Sequence, residues 1–167
     1  MEVREAWLED AAAIAAVHVR TWQAAYPHVF GAERLAGIDL GTRQERWRQH
    51  LSDTEPRRSI FVAEDDGSIV GFASCGDSRD GSGEGELYAI YALPEAWGSG
   101  AGSALMAAVI AALRANGFAA AHLWVLEDNP RARRFYEREG WSPADGRRRE
   151  EFLGVPVTEV RYRISLG

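Results

Sequence analysis

Leu105, Met106, Val109, Ile110 and Leu113 recur at helical spacing along one apolar face, which predicts a helix over residues 99 to about 114 with Gly117 as its C-terminal stop. Ile14, Val17, Thr21 and Ala24 form a second stripe behind Asp10 as N-cap, and that helix runs to Tyr26, before Pro27. Shorter helical stretches are expected over residues 33–38 and 42–51, the latter with Trp47 and Leu51 four apart. Asn129-Pro130 opens another helix, which reaches about Glu139 and ends at Gly140.

Between these helices the pattern changes to short apolar or alternating runs. Residues 60–63 and 69–73 flank Asp65-Asp66-Gly67, a hairpin signal, and residues 86–92 read as a central strand closed by Pro94. Residues 122–126 form a further strand, and residues 3–6 an edge strand. At the C-terminal end Val160, Tyr162 and Ile164 alternate within residues 157–164, pairing as a hairpin with Glu151-Phe152-Leu153 across a turn at Gly154-Val155-Pro156. The order predicts an α/β fold, one mixed sheet with helices on both faces, and 167 residues fit one domain over positions 1–167.

Composition narrows the classes of function. A hydrophobic content of 46% supplies a sizeable core, and 26% charged residues argue against both a disordered chain and a membrane protein. No apolar run approaches the roughly 18 residues of a membrane span, and Met1-Glu2-Val3-Arg4-Glu5 puts charge where a signal peptide needs an apolar stretch. A cytoplasmic protein without a membrane partner is expected. A net charge of −6 weighs against nucleic acid as a partner and suits attraction of a cationic amine. Cys75 stands alone and reads as a buried thiol, while His18, His28, His50 and His122 are scattered without ligand spacing, so no metal is expected.

The chemistry concentrates in Trp97-Gly98-Ser99-Gly100-Ala101-Gly102-Ser103, between a strand and a helix. A helix N-terminus offers about four unpaired N–H groups and a partial positive charge, and small residues there let a pyrophosphate approach. Three glycines alone fit a tight turn or close helix packing equally well. A dinucleotide-binding loop would open the first strand–helix unit and be answered by an acidic residue about 20 positions on, where this chain has His122 and Leu123.

Residues 86–141 together resemble the GCN5-related N-acetyltransferase (GNAT) family. Leu93-Pro94-Glu95-Ala96-Trp97 looks like that family's turn before its phosphate loop. Gly100 and Gly102 match the loop pattern, with Trp97 where the family has Arg or Gln. The run from Asn129 to Trp141, with Ala132, Phe135, Tyr136 and Gly140, is similar to the family's Asn-x-x-Ala-x-x-Phe-Tyr-x-x-x-Gly-Phe segment. The resemblance implies a GNAT-like acyl-CoA N-acyltransferase fold with a mostly antiparallel sheet, whose fourth and fifth strands splay to admit acetyl-CoA as co-substrate.

It further implies that the amides of Gly98, Ser99, Gly100, Ala101, Gly102 and Ser103 hold the phosphates, and that Ile90, Tyr91 and Ala92 pair with pantetheine. Tyr91 or Ala92 would supply an oxyanion N–H. Asn129 reads as a helix cap, as an amide partner for pantetheine, or as both. Tyr136 becomes the proton donor to the departing thiolate. Glu86 is the candidate base, directly or through water; strand alternation sets it on the face of Tyr88 and Ile90, where a solvated charge is the competing reading. Arg131, Arg133 and Arg134 read as surface charges. His18, Trp22 and Tyr26 recur every four residues, so Trp22 and Tyr26 are candidate acceptor-pocket residues, with plain packing the alternative for Trp22.

The expected activity is acetyl transfer from acetyl-CoA to a primary amine of a small molecule by direct attack. A peptide or protein acetyltransferase and a non-catalytic acyl-CoA sensor are the competing readings. Family relatives often pair, so a homodimer joined through the C-terminal hairpin is also open.

Overall fold

The computed structural model describes all 167 residues. Seven strands form one sheet in the order β1-β2-β3-β4-β5-β7-β6. They are β1 (Glu2–Glu5), β2 (Ser59–Asp65), β3 (Ser68–Asp77), β4 (Gly85–Ala92), β5 (Ala120–Leu126), β6 (Ser142–Phe152) and β7 (Val155–Ser165). Every neighbouring pair is antiparallel except β4 and β5. The helices are α1 (Ala11–Ala25), α2 (Pro27–Phe30), α3 (Ala32–Ala36), α4 (Leu40–Ser52), α5 (Ala101–Ala115) and α6 (Pro130–Arg138).

The apolar stripes place the helices. Leu105, Met106, Val109 and Leu113 of α5 are buried against Ala73, Leu87, Ile90 and Leu123 of the sheet, and Tyr136 of α6 joins the same cluster. On the opposite face, Ile14 and Val17 of α1 and Trp47 of α4 pack against Val62 and Phe72. A third cluster, with Trp22, Tyr26, Phe30, Leu35, Leu126 and Val157, fills the end where α2 and α3 meet β5 and β7. Cys75 is buried between strands, and burial pushes its thiol up to about 12, so it is no nucleophile near neutral pH.

Local chemistry accounts for most element ends and corrects several expectations. Gly117, at φ 84°, stops α5 while the Phe118 N–H donates to Leu113 O, and Pro27 opens α2 at the first helical position rather than only ending α1. α5 begins at Ala101, two residues later than expected, because Gly100 adopts the left-handed region at φ 94°. The C-terminal hairpin is larger than the pattern indicated: β6 runs through the charged stretch from Asp145 to Glu151, and the turn lies at Leu153-Gly154 with Val155 and Pro156 already in β7. A solvated edge strand needs no apolar alternation, which hid β6.

Asp10 is not the side-chain cap of α1. Its carboxylate accepts the Trp7 N–H (2.6 Å) and two bonds from the Arg4 guanidinium (2.8 and 3.1 Å), joining β1 to the turn before α1. The Arg4 hydrogen bonds are the main cause of an Asp10 pKa below the ordinary carboxylate value. A depressed carboxylate pKa stabilises the fold above the unfolded-state pKa, and that contribution is lost as pH falls through the folded value. Asp10→Asn should therefore cost about 3 kcal/mol in urea unfolding at pH 7, and the deficit should shrink as pH falls below about 4. A deficit independent of pH would show that the charge is not what matters.

Candidate active site

β4 and β5 pair only through Gly85–Ala121, Glu86–His122 and Leu87–Leu123. Beyond Leu87 the two parallel strands part, and β5 continues along β7 as far as Leu126. A parallel sheet that opens at its C-terminal strand ends leaves a crevice there, and a cavity of about 930 Å³ occupies it.

The register of β4 against β3 decides what faces the crevice. Ser74 pairs with Ala89 and Cys75 with Leu87, so Tyr88 is an extra, bulged residue. The bulge resets alternation: Leu87 and Ile90 lie on the α5 side, while Ala89 and Tyr91 lie against α1 and α4. The expectation that Glu86 shares a face with Ile90 fails for this reason. Past the bulge, the Leu93 N–H donates to Val70 O (2.8 Å), so alternation commits the Tyr91 main chain to Phe72 and turns the main chain of Ile90 and Ala92 toward the gap. Tyr91 is thereby removed as an oxyanion donor, although its side chain lines the cavity.

The loop before α5 supplies the polar end. Gly98 and Gly100 have φ of 79° and 94°, and a side chain at Gly102 would press within 3.0 Å of Phe135. The amides of Gly98, Gly100, Gly102 and Ser103 make no hydrogen bond within the protein. Ser99 and Ala101 behave differently. The Ser99 hydroxyl accepts the Ala101 N–H (3.3 Å) and donates to Ala96 O (2.5 Å), Ala101 is fully buried, and neither residue lines the cavity. Trp97 donates its indole N–H to Ala92 O (2.9 Å), and the Arg131 guanidinium stacks 3.4 Å over the Trp97 ring. Arg131, read as a surface charge, thus brings a cation to the loop whose own Arg or Gln position is Trp97. This contact joins two distant segments and leaves no mark in either.

Asn129 caps α6 by accepting the Ala132 N–H (3.1 Å), and its amide N–H donates to the Tyr26 hydroxyl (3.0 Å). Tyr136 is buried on the α6 wall, and burial raises its pKa above the ordinary phenol value, with Tyr91 adding to the shift. Burial also raises Tyr26 and Tyr91. All three phenols therefore stay protonated near neutral pH.

The α1 wall has the expected period: His18, Trp22 and Tyr26 all reach the cavity. Trp22 also packs, stacked on Phe30 at 5.3 Å, with its indole nitrogen buried and unpartnered. His18 lies over Tyr91 at 5.4 Å and accepts from Trp47 Nε1 at Nδ1 (3.4 Å); burial first, then Arg43, pushes it down to about 4. It is neutral near pH 7.

Glu86 is the one expected catalytic residue displaced from the site. It is buried, ion-paired with Arg79 and within 3.6 Å of His122, and it does not line the cavity; Arg79 does. The single carboxylate on the cavity wall is Glu159 of β7, buried and held by Arg148 Nε at 2.9 Å. Glu159 carries no mark in the apolar pattern, which runs through its neighbours Val160 and Tyr162. Alternation along the same strand puts Glu159 on the face of buried Val157, a signal that was available.

Comparison with known proteins agrees with this geometry. Residues 12–141 match the Acetyltransferase (GNAT) family. The uncharacterized N-acetyltransferase YuaI of Bacillus subtilis (strain 168) is 39% identical over 131 residues, 77% of this chain and 73% of its own. The PaiA N-acetyltransferase of Thermoplasma acidophilum, solved in complex with coenzyme A, shares the fold with a TM-score of 0.80 at 17% identity, covering 98% of each chain. The yncA structure from Salmonella typhimurium, described as a putative acetyltransferase with its cofactor acetyl-CoA, has a TM-score of 0.73 at 22% identity over 100% of this chain and 94% of its own. The free loop amides and the parted strands agree with this match, which establishes that the chain belongs to the GNAT family and is an acetyl-CoA-dependent N-acetyltransferase.

Proposed function

We propose that the protein acetylates a primary amine of a small molecule by direct attack of the amine in the gap between β4 and β5. The observation that carries this reading is the open main-chain edge of β4 beyond Leu87, with free loop amides at one end and two chemically different walls beside it. The residues present fit the donor. The amides of Gly98, Gly100, Gly102 and Ser103 would take the pyrophosphate, Arg131 would add charge, and the Ile90 main chain and the Ala92 N–H would pair with the pantetheine arm, the Ala92 carbonyl being held by Trp97 and Thr21. When bound, acetyl-CoA supplies the activated acetyl group.

The chain's own groups then divide the work. The Ile90 N–H, deeper in the gap than Ala92, donates to the acetyl oxygen as negative charge develops, a contribution of about 3 kcal/mol in acyl transfer. Glu159 takes the amine proton, directly or through water, as the N–C bond forms. Tyr136 gives its proton to sulfur as the C–S bond breaks. Glu86 acts one step back, holding Arg79 in the wall.

The segment after α1 supports a small acceptor. α2 stands at the end of the cavity, with His28 Nε2 donating to Asp128 O (3.0 Å) and Asn129 donating to Tyr26, so one end of the crevice is bridged against a polypeptide.

Tyr136→Phe should lower kcat by about 100-fold or more while acetyl-CoA affinity, read by calorimetry, changes little. A wild type that binds acetyl-CoA but releases no CoA with any amine would instead be a sensor. Glu159→Gln should cost at least tenfold more in kcat than Glu86→Gln; the reverse order would return the base to Glu86. Arg131→Ala should weaken acetyl-CoA binding roughly tenfold, with a shallower salt dependence, while saturated kcat is retained.

A further inference from the structure

The cavity wall carries five arginines, Arg43, Arg79, Arg131, Arg138 and Arg148, against the single carboxylate Glu159, in a chain whose net charge is −6. Arg131 stands at the phosphate loop with Arg138 close enough for their charges to interact, where the donor's phosphates account for both. On the acceptor side, Arg79 is held by Glu86 and Arg148 by Glu159. Arg131 and Arg138 beside the loop have no salt bridge, and of the remaining three only Arg43 lacks one, since Arg79 and Arg148 are held by carboxylates.

The position of Arg43 on α4 accounts for its partial burial. Arg43 sits one helical turn before the buried Trp47 on the same face of α4, so it is half-buried and directed at the crevice. Burial, followed by the charge of Arg46, lowers its pKa from the ordinary guanidinium value, yet a guanidinium remains charged at any physiological pH. Its charge acts on both His18 and Tyr91, which stack on one another beside the reactive stretch of β4. His18 accepts from Trp47 at Nδ1, which leaves the His18 proton on Nε2 as a second, neutral donor on this wall. A half-buried cation without a counter-charge is costly, and a ligand anion removes that cost.

Resting on the transferase reading above, we propose that Arg43 is the anion-recognition residue of the acceptor subsite and that the amine substrate carries a carboxylate, as an amino acid does. Trp22, Tyr26 and Phe152 on the same cavity would enclose the remainder of such a molecule.

The test is calorimetric titration of the CoA-saturated protein with common L-amino acids and with their carboxamides, for the wild type, Arg43→Gln and Arg43→Lys. At least one acid should bind about 10- to 100-fold more tightly than its amide. Arg43→Gln should erase that difference without changing CoA or amide affinity, and Arg43→Lys should restore part of it. Equal binding of acid and amide, binding of neither, or a preference that survives Arg43→Gln would overturn the inference and leave the transferase reading standing. Failure of CoA itself to bind would remove both.

Discussion

The parting of two parallel strands after three paired residues is the constraint on which the site depends. β4 and β5 are joined through Leu87 and Leu123, then β4 stays with β3 while β5 stays with β7. Main-chain groups left open inside a protein are costly unless something pairs with them, so the exposed edge of β4 is free to pair with an extended ligand. The bulge at Tyr88 then decides the aim of every later side chain on that strand. Without the extra residue, Ile90 would face α1 and Tyr91 would face α5, exchanging the two faces of the strand.

The closed end of the gap is held by charge. His122 is fully buried opposite Glu86, its Nδ1 lies 3.0 Å from Glu84, and Glu84 also receives Arg161 (3.0 Å) and Arg163 (2.7 Å) from β7. Glu86 in turn accepts the Arg79 main-chain N–H (3.0 Å) as well as its guanidinium. These contacts tie β4, β5 and β7 together where the strands meet, and none of them extends past Leu87. Buried ion pairs add little net stability over an apolar core, but removing one partner leaves an uncompensated charge and is expensive. Their part here is to fix where the pairing ends.

How far the chain can be read without coordinates follows from which interactions leave a periodic trace. Helix stripes, the Asp-Gly hairpin, Gly117 and the Asn129-Pro130 start are local, and each element appeared within a few residues of its expected place. The spacing that brings Gly98, Gly100, Gly102 and Ser103, and His18, Trp22 and Tyr26, to one cavity is local for the same reason. Three things leave no such trace. The bulge is a property of two strands together, so Glu86 was assigned to the wrong surroundings. β6 is an exposed edge whose charges show no apolar alternation. Arg131 and Glu159 are held at the cavity by partners distant in the chain, Trp97 and Arg148. Arg43 lay within reach of the spacing argument, four residues before Trp47.

On the proposed mechanism, the amides of the loop and the open edge of β4 hold acetyl-CoA. Calorimetric titration of acetyl-CoA into the wild type and into a variant with Val at both Gly100 and Gly102 tests it most directly, with circular dichroism and thermal unfolding confirming that the variant remains folded. The wild type should show saturable one-to-one binding and the folded variant at least a 100-fold weaker affinity, since side chains there force a strained backbone and close the approach to the amides. A wild type that does not bind, or a folded variant that binds equally well, would contradict it.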